Sequence, residues 1–561
     1  MGVYKIQGCF LLAAMAFLLL AWLLPNHYEP WGSAYQEFSV FFAMIFIFAS
    51  LFGQVRFKIG MAVFFILPCV PLLQQLVGVI FFAGDAWMAV FYIVGAGLML
   101  LAGYNLSIRP VGRASLVVAL AVVLVVGAVL SVWIALRQWL LLSGSIWVAD
   151  FPFGGRPFAN LAQPNNLATL LCMGLAGVLY FYEKKYLGRI AAGLLAFFLI
   201  FGVALTQSRT PWVGAIFALV WWFWKSRSVA VRLPVGGFSF WIGIYTLAVL
   251  GVPFLAEVLG LTAASLAERA QATQRLDMWW QLWQAVVSGP LWGYGWNQIS
   301  VAQVGVALSH PVPIMTEHGH NILLDVLLWN GPVLGGLIIL LMAVWLARLC
   351  WHACTIESVL ALMMVGFVLV HGMLEYPLEY AFFLFPVGLL LGVVEADQKT
   401  SVVVTMPRWV YAVIVMVVTG LQGWVWYEYR VLEEDHRLMR FENAQIGELM
   451  AEKSAPDVVV LTQLRELIRF SRTEPRDGMS MGELDWMRKV AHRYPYPANL
   501  FRYALALGLN RQSRAAYVQI LILRSLHGEK RYEAAVLGLQ LMLESHPQLE
   551  LLLVQLPRAK V

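Results

Sequence analysis

The sequence predicts an all-α membrane protein, with a bundle of about thirteen transmembrane helices over residues 1–427 and a soluble α-helical domain over residues 428–561. Of its 561 residues, 61% are hydrophobic and only 12% are charged, whereas soluble domains average roughly 25% charged residues. The apolar residues form runs of about 18 or more, which is the length that a helix needs to cross a bilayer. The segment WYEYRVLEEDHRLMRFENAQ then opens a charged region in which no run is long enough to span.

Lys and Arg residues predict the orientation, because short cytoplasmic loops retain positive charge. The first run, Gly8 to Leu24, lacks a small-x-small cleavage site and is predicted to remain as the first helix. With the N-terminus inside, every second connection is basic: Arg56/Lys58, Arg109/Arg113, Lys184/Lys185/Arg189, Lys225/Arg227/Arg232, Arg348 and Lys399/Arg408. An odd helix count places the long loop at about 258–318 and the 428–561 domain on the outer side. The net charge of +6 reflects this topology, and no basic stripe with interleaved aromatic residues indicates a nucleic-acid partner.

The outer connection GGRPFANLAQPNNLATLL is rich in Gly, Pro and Asn, so irregular backbone is expected before a helix that begins near Leu167. Gln163, Asn165 and Asn166 would lie at the entrance of that helix. One interpretation is simple capping, since Asn is a favoured N-cap residue. The other is that Gln163 supplies hydrogen bonds to a polar ligand at the membrane face.

Two arginines are predicted on the same outer face. Arg209, in LTQSRTPWVG, separates two apolar helices, and Arg275 stands on the first turn of a predicted tryptophan-rich amphipathic helix at 273–287. Each has a simpler interpretation, Arg209 as a snorkelling anchor and Arg275 as a solvated charge. Together they match a diphosphate, which guanidinium groups bind bidentately. The candidate ligand at a membrane surface is a polyprenyl-diphosphate carrier bearing a glycan.

The segment MTEHGHNILLDVLLWNG (315–331) places ionisable side chains directly before an apolar helix. We expect His320 in the first helical turn, with Glu317 on the same face and His318 turned elsewhere. A helix N-terminus disfavours the imidazolium form, so a neutral imidazole would be available as a base. The alternatives are headgroup binding by the histidines and a Glu-His-x-His metal site. Cys350, His352 and Cys354 are not predicted to bind zinc, because a closed structural site needs four ligands and no complementary pair is nearby. No metal ligand is assigned in this protein.

A family resemblance appears at these residues. The succession RPFANLAQPNNLATLL, QSRTPW, QRLDMWWQLWQAVVSGPLWGYGWNQ, HGHNILLDVLLWNGPVLGG and EYPLEYAFFLFP resembles the O-antigen ligase and polymerase superfamily. More narrowly, it is similar to bacterial protein O-oligosaccharyltransferases, the general glycosylation ligases of Gram-negative bacteria. The resemblance implies that His320, followed by Asn321, is the essential histidine, and that Arg209 and Arg275 hold a lipid diphosphate.

The same resemblance implies that Gln163 in QPN and Tyr380 in PLEYA take part in glycan transfer. Tyr376 competes with Tyr380, because EYPLEY is internally repetitive. Glu317 would orient or polarise His320, and Asn165 is a further candidate. The C-terminal region resembles the helical extension of this branch, and AAYVQILILRSLHGEKRYEAAVLGLQLMLESHP resembles a helix–turn–helix unit of the tetratricopeptide type.

The implied activity is transfer of a preassembled glycan from undecaprenyl diphosphate to Ser or Thr hydroxyls of pilin-like or other exported proteins. The reaction would take place at the periplasmic face of a Gram-negative inner membrane, among membrane lipids and without a cofactor. Three alternatives stay open: an O-antigen polymerase, a lipid-A O-antigen ligase, and a lipid or solute transporter. Transporters usually carry ionisable sites near the bilayer midplane, whereas the charges here gather at one face.

Overall fold

The computed structural model describes residues 2–51, 55–142, 144–152, 155–261, 267–398, 403–444, 446 and 454–557, with the backbone alone at 2–5 and 267–273. Part of the predicted 258–318 loop and Lys399 therefore lie outside the described residues. The predicted all-α class is confirmed. The helices are α1 Gly2–Leu23, α2 Ala34–Ala49, α3 Val63–Ile66, α4 Cys69–Leu76, α5 Ala83–Ser107, α6 Pro110–Trp139, α7 Pro164–Glu183, α8 Arg189–Leu205, α9 Thr210–Lys225, α10 Val235–Val258, α11 Ala267–Ser288, α12 Ile299–Val306, α13 Ile322–His352, α14 Ile356–Gly372, α15 Ala381–Asp397, α16 Arg408–Asn443, α17 Thr462–Arg472, α18 Met481–Arg493, α19 Pro497–Leu509, α20 Ser513–His527, α21 Glu529–Leu541 and α22 Glu550–Gln555.

The chain is a multi-pass membrane protein. Within the described ranges, eight helical segments are long and apolar enough to cross a bilayer: Ile6–Leu23, Ile59–Leu76, Ala83–Ser107, Pro110–Trp139, Pro164–Glu183, Val235–Val258, Ile322–His352 and Arg408–Asn443. Three shorter apolar helices, Ala34–Ala49, Arg189–Leu205 and Ile356–Gly372, accompany them. The count of about thirteen and the orientation stay predictions.

Two compact units make up the described chain. Unit 1 contains residues 1–68, 91–268 and 342–426, and unit 2 contains residues 69–90, 269–341 and 427–561. One boundary falls between Trp426 and Tyr427, inside α16 and next to the predicted domain limit. The C-terminal region shares its unit with two earlier segments of the chain, which the predicted division into 1–427 and 428–561 did not anticipate.

Unit 1 has an apolar core and one buried charged cluster. Close helix packing depends on small residues: a side chain at Gly103 in α5 would overlap the Leu389 carbonyl of α15. At the end of α15 the buried Glu395 carboxylate accepts hydrogen bonds from Lys58 at 3.1 Å and Arg348 at 2.8 Å. Buried charges persist only where they are paired in this way.

Unit 1 also contains one short antiparallel pair of strands, which the sequence did not predict. Strand β1 (Val55–Lys58) pairs with β2 (Val403–Met406), with Val55 opposite Met406. Each strand has four residues, too few to show the period of two that reveals a strand in a sequence.

Unit 2 is built around the C-terminal helices α17 to α22. Their buried apolar side chains form one cluster, which also includes Phe82, Val304 and Ala307 from the two earlier segments. Ser525 of α20 donates a hydrogen bond to the Ala307 carbonyl at 2.6 Å. The C-terminal helices therefore pack on the segment that leads into residues 315–321. Their tetratricopeptide character stays a prediction.

Candidate active site

The entrance of α7 differs from the capping interpretation. Gln163 is the N-cap residue in extended conformation, its side chain makes no capping hydrogen bond, and Pro164 opens the helix. Asn165 and Asn166 lie in the first turn, and Asn166 donates to the Leu161 carbonyl at 3.1 Å. Pro is favoured at the first helical position because its missing N–H needs no partner there. The helix consequently begins three residues before the predicted start near Leu167.

Side chains at the start of α7 join two distant segments of unit 1. The Asn165 amide nitrogen donates to the Glu375 carboxylate at 2.9 Å, and its oxygen accepts from the Ser208 hydroxyl. The Gln163 amide nitrogen donates to the Tyr376 hydroxyl at 3.2 Å. The structure therefore brings the QPN, QSR and EYPLEY segments of the sequence together.

Both candidate tyrosines lie in this cluster. The rings of Tyr376 and Tyr380 are 5.8 Å apart, and Tyr380 is the N-cap residue of α15. Burial, reinforced by the neighbouring Glu375, raises the pKa of Tyr376 to about 12. Burial likewise raises the pKa of Tyr380 well above its ordinary value. Both hydroxyls are therefore protonated at neutral pH, and the observed hydrogen bond to Gln163 belongs to Tyr376.

Arg209 is exposed at the N-cap position of α9, and its guanidinium has no hydrogen-bond or ion-pair partner among the residues that the structure describes. Two residues later, Pro211 lines an apolar cavity of about 350 Å³ among α7, α8, α9, α10 and α14. Helix N-termini attract anions. A cation at the N-terminus of a helix whose first turn lines an apolar cavity suits a ligand with an anionic head and a hydrocarbon tail.

Arg275 lies on α11, which begins at Ala267. The prediction that Arg275 occupies the first turn is therefore wrong, because the helix starts before the tryptophan-rich stretch on which its boundary was based. Trp279 stands one turn later on the same face, and its indole N–H donates to the Gly319 carbonyl at 2.9 Å. Helix α11 thus positions Arg275 on the face that contacts the HGHN segment.

The apolar stripe of α11 faces outward. Leu276 is 62% exposed, Trp280 61% and Trp283 44%, and their spacing of four and three residues places them on one face. Met278 and Leu282 are buried on the opposite face. The predicted amphipathic helix is present, with an exposed apolar face of the kind that suits a membrane interface.

The segment 315–321, named here the histidine loop, is not helical. Helix α13 begins at Ile322, His320 has φ 52°, and the Asn321 side chain caps the helix by accepting from Leu323 N–H at 3.0 Å. The predictions that His320 occupies the first turn and shares a helical face with Glu317 are therefore wrong. The left-handed backbone of His320 and the capping side chain of Asn321 prevent α13 from extending back to His320.

The backbone of the histidine loop is held at Gly319. Its N–H donates to the buried Asp325 carboxylate at 2.7 Å, and its carbonyl accepts from Trp279. Upstream, the Thr316 N–H donates to the Gln303 side chain at 3.0 Å, and the Thr316 hydroxyl donates to the His318 carbonyl at 2.5 Å. The conformation around His320 is thus set by bonds on both sides of it.

Glu317 contacts the C-terminal helices. Its carboxylate accepts from the Tyr496 hydroxyl at 2.5 Å and lies 3.6 Å from the Arg493 guanidinium. Sequence reasoning missed these two residues, as it missed Ser208, Glu375 and Asp325. An acidic residue in an apolar run indicates a functional or structural role, so Asp325 and Glu375 could have been found in this way. No local sequence pattern identifies Arg493.

Comparisons with known proteins decide the family. Residues 194–340 match the family model described as O-Antigen ligase, and residues 359–541 match the one described as Virulence factor membrane-bound polymerase, C-terminal. The chain is 33% identical over 546 residues to a General O-oligosaccharyltransferase of Acinetobacter baylyi, which covers 94% of this chain and 95% of the relative. The chain belongs to the bacterial O-oligosaccharyltransferases of the O-antigen ligase superfamily. The predicted family is confirmed.

The oligosaccharyltransferase is therefore a glycosyltransferase. It is also 28% identical over 408 residues to a ComP-specific O-oligosaccharyltransferase of Acinetobacter baylyi, with 71% of this chain and 73% of the relative covered. The region that matches the O-Antigen ligase model contains Arg209, Arg275 and His320. The region that matches the polymerase model contains both candidate tyrosines. The roles of these residues stay predictions.

Proposed function

We propose that this oligosaccharyltransferase transfers a preassembled glycan en bloc from undecaprenyl diphosphate to Ser or Thr hydroxyls of exported proteins, pilin-like proteins among them. The reaction takes place at the periplasmic face of a Gram-negative inner membrane. The observation that carries the proposal is the match over nearly the whole chain to a General O-oligosaccharyltransferase. The second relative, named ComP-specific, supports a protein acceptor.

The proposed reaction is a direct displacement at the anomeric carbon. The acceptor hydroxyl oxygen forms the new bond to that carbon while the bond to the diphosphate oxygen breaks, so the configuration inverts. The hydroxyl proton passes to His320, and the lipid diphosphate leaves with the bonding electron pair. A positioned base contributes roughly 10²- to 10⁴-fold to such a step. The hydrogen bonds at Gly319 and Asn321, on either side of His320, support this role, since a base must be held within hydrogen-bond reach of its proton.

Arginine supplies the proposed charge stabilisation for the leaving diphosphate. Arg209 has an exposed guanidinium two residues before Pro211, which lines an apolar cavity in unit 1, and this arrangement suits a lipid diphosphate with its polyprenyl chain. Arg275 in unit 2 is the second proposed ligand and sits one helical turn from the tryptophan that contacts the histidine loop. Preorganised cations lower the energy of a developing anion without solvent reorganisation.

Polar side chains in unit 1 are proposed to hold the glycan or the acceptor. Gln163 bonded to Tyr376, with Tyr380 beside it, presents protonated hydroxyl and amide groups at the end of two apolar helices. Such groups recognise hydroxyl-rich ligands through hydrogen bonds that an apolar analogue would leave unpaired.

Intact-mass analysis of exported proteins tests the proposal. Cells that make the lipid-linked glycan should show a mass increase of one glycan on an exported protein when they carry this chain, and none when they carry the His320→Ala variant. Unmodified proteins in both strains would refute protein glycosylation.

A glycan polymerase is the second candidate, favoured by the match described as Virulence factor membrane-bound polymerase, C-terminal. Cells restricted to a single repeat unit separate the candidates by product. A protein ligase yields a glycoprotein, a polymerase yields a longer lipid-linked chain, and a lipid-A ligase yields a capped lipid.

A further inference from the structure

One segment of the C-terminal helices contacts the histidine loop directly. Residues 493–496 comprise the last residue of α18 and the connection to α19, within unit 2. Arg493 and Tyr496 from this segment reach Glu317, the Arg493 guanidinium at 3.6 Å and the Tyr496 hydroxyl at 2.5 Å. Glu317 stands two residues before Gly319, whose backbone fixes the loop at His320.

Arg493 is itself held from the other side. Its guanidinium donates to both oxygens of Asp85, with the shortest contact at 2.9 Å. The side chain of Asp85 is 2% exposed and that of Arg493 is 10% exposed. One buried guanidinium thus lies between two carboxylates, Asp85 and Glu317. Bidentate Arg–carboxylate pairs combine strength with a fixed geometry, so Arg493 presents its remaining edge to Glu317 in one orientation.

The protonation states of this group are fixed. Burial lowers the pKa of Arg493, but the adjacent Asp85 carboxylate outweighs it and raises that pKa above its ordinary value. Burial of the hydroxyl, together with Glu317, raises the pKa of Tyr496. Arg493 is therefore charged and Tyr496 protonated at neutral pH. Tyr496 donates a hydrogen bond to Glu317, and Arg493 lies at ion-pair distance from the same carboxylate.

The backbone of the segment is anchored as well. The Ser300 hydroxyl donates to the Arg493 carbonyl at 2.7 Å, and the His527 ring lies 2.7 Å from the Pro495 carbonyl. Asn499 donates to the Tyr494 carbonyl at 2.8 Å. Three separate elements therefore fix the position from which Arg493 and Tyr496 reach the loop.

We propose that Arg493 and Tyr496 are positioning residues that hold Glu317, and through it the histidine loop, in the geometry that transfer requires. The inference rests on the proposed function of His320 and deepens it. It gives the C-terminal helices a role in the transfer step itself, because the loop takes its conformation partly from them. A misplacement of about 1 Å is enough to cost roughly 10²-fold in rate.

The test uses the full-length protein in lipid nanodiscs, with lipid-linked glycan extracted from the producing cells and the acceptor found by intact-mass analysis. Tyr496→Phe removes one hydroxyl and should lower kcat roughly tenfold with little change in the KM for either substrate. Tyr517→Phe removes the same group from α20 and serves as the matched control, with wild-type kinetics expected.

A double variant identifies the route of the effect. If Tyr496 acts through Glu317, adding Tyr496→Phe to Glu317→Gln should cause no further loss. Losses that multiply, or a wild-type kcat for Tyr496→Phe, would overturn the inference. The proposed function fails differently, because His320→Ala would then retain full activity.

Arg493 provides a second pair of variants. Arg493→Lys keeps the charge but loses the planar guanidinium that binds Asp85 through two nitrogens, so a decrease of kcat similar to that of Tyr496→Phe is expected. Arg493→Gln leaves two carboxylates without their cation, so a larger loss and a lower melting temperature are expected.

Amide hydrogen exchange supplies a readout that is independent of activity. The peptide covering 315–324 should exchange faster in Tyr496→Phe than in Tyr517→Phe. Equal exchange in the two variants would contradict the positioning role even if no acceptor were at hand.

Discussion

The cluster at the start of α7 and the histidine loop are built in opposite ways. In the α7 cluster, side chains bond to side chains across more than 200 residues of sequence, as Asn165 does to Glu375 over 210 positions. In the histidine loop, Gly319 is held through both its backbone N–H and its carbonyl, and the side-chain bond from Tyr496 to Glu317 supports the same loop. The first region should therefore respond mainly to changes of side-chain chemistry, whereas the second should also respond to a side chain added to its backbone at Gly319.

The histidine itself should give the largest effect. His320→Ala should lower transfer by roughly 10²- to 10⁴-fold, because the acceptor hydroxyl loses its base. His318→Ala should lose less, since His318 is assigned no proton transfer. Glycoprotein yield at matched membrane expression is the measurement. Full transfer by well-expressed His320→Ala protein would remove the base from the mechanism.

The substitution of Gly319 should give the second-largest effect. A Cβ there would overlap the Asp325 carboxylate, so Gly319→Ala must displace the bond that holds the loop and should cost roughly 10²-fold in kcat. Gly336→Ala in α13 is the matched control, because a Cβ at that position meets nothing within 4 Å. Equal kinetics for the two alanine variants would show that the loop tolerates the displacement.

The lysine variants of the two arginines should give the third-largest effect. Arg209→Lys and Arg275→Lys keep the charge but lose the bidentate fork, so each should lower kcat/KM for the lipid-linked donor by roughly tenfold. Donor titrations at saturating acceptor would measure this. Wild-type values in both lysine variants would mean that neither residue binds the diphosphate.

The tyrosine pair should show the smallest effect. Tyr376→Phe deprives the Gln163 amide of its observed acceptor and should lower kcat/KM roughly fivefold, in keeping with about 1 kcal/mol for one hydrogen bond. Tyr380→Phe leaves that bond in place and should cost less. The reverse order would assign the functional hydroxyl to Tyr380, as the family resemblance implies.

A feature can be predicted from the sequence when residues close together in the chain determine it, and not when it depends on residues far apart. Apolar runs report directly on transmembrane helices, so the membrane class was predictable from composition. The prediction that Glu317 and His320 share a helical face failed because Gly319 and Asn321 favour non-helical backbone. A three-residue spacing indicates a shared face only within a helix. The strand pair β1–β2 and the Arg493–Glu317 contact join residues far apart in the chain, and neither leaves a local pattern that could be read.

The outward-facing stripe of Leu276, Trp280 and Trp283 on α11 has a consequence for the lipid environment. Tryptophan-rich helices of this kind rest at the depth where headgroups meet acyl chains. Because the same helix carries Arg275 and contacts the histidine loop through Trp279, we expect the surrounding lipids to influence the position of both. Bilayer thickness and headgroup composition therefore become experimental variables of this oligosaccharyltransferase, on the same footing as its substrates.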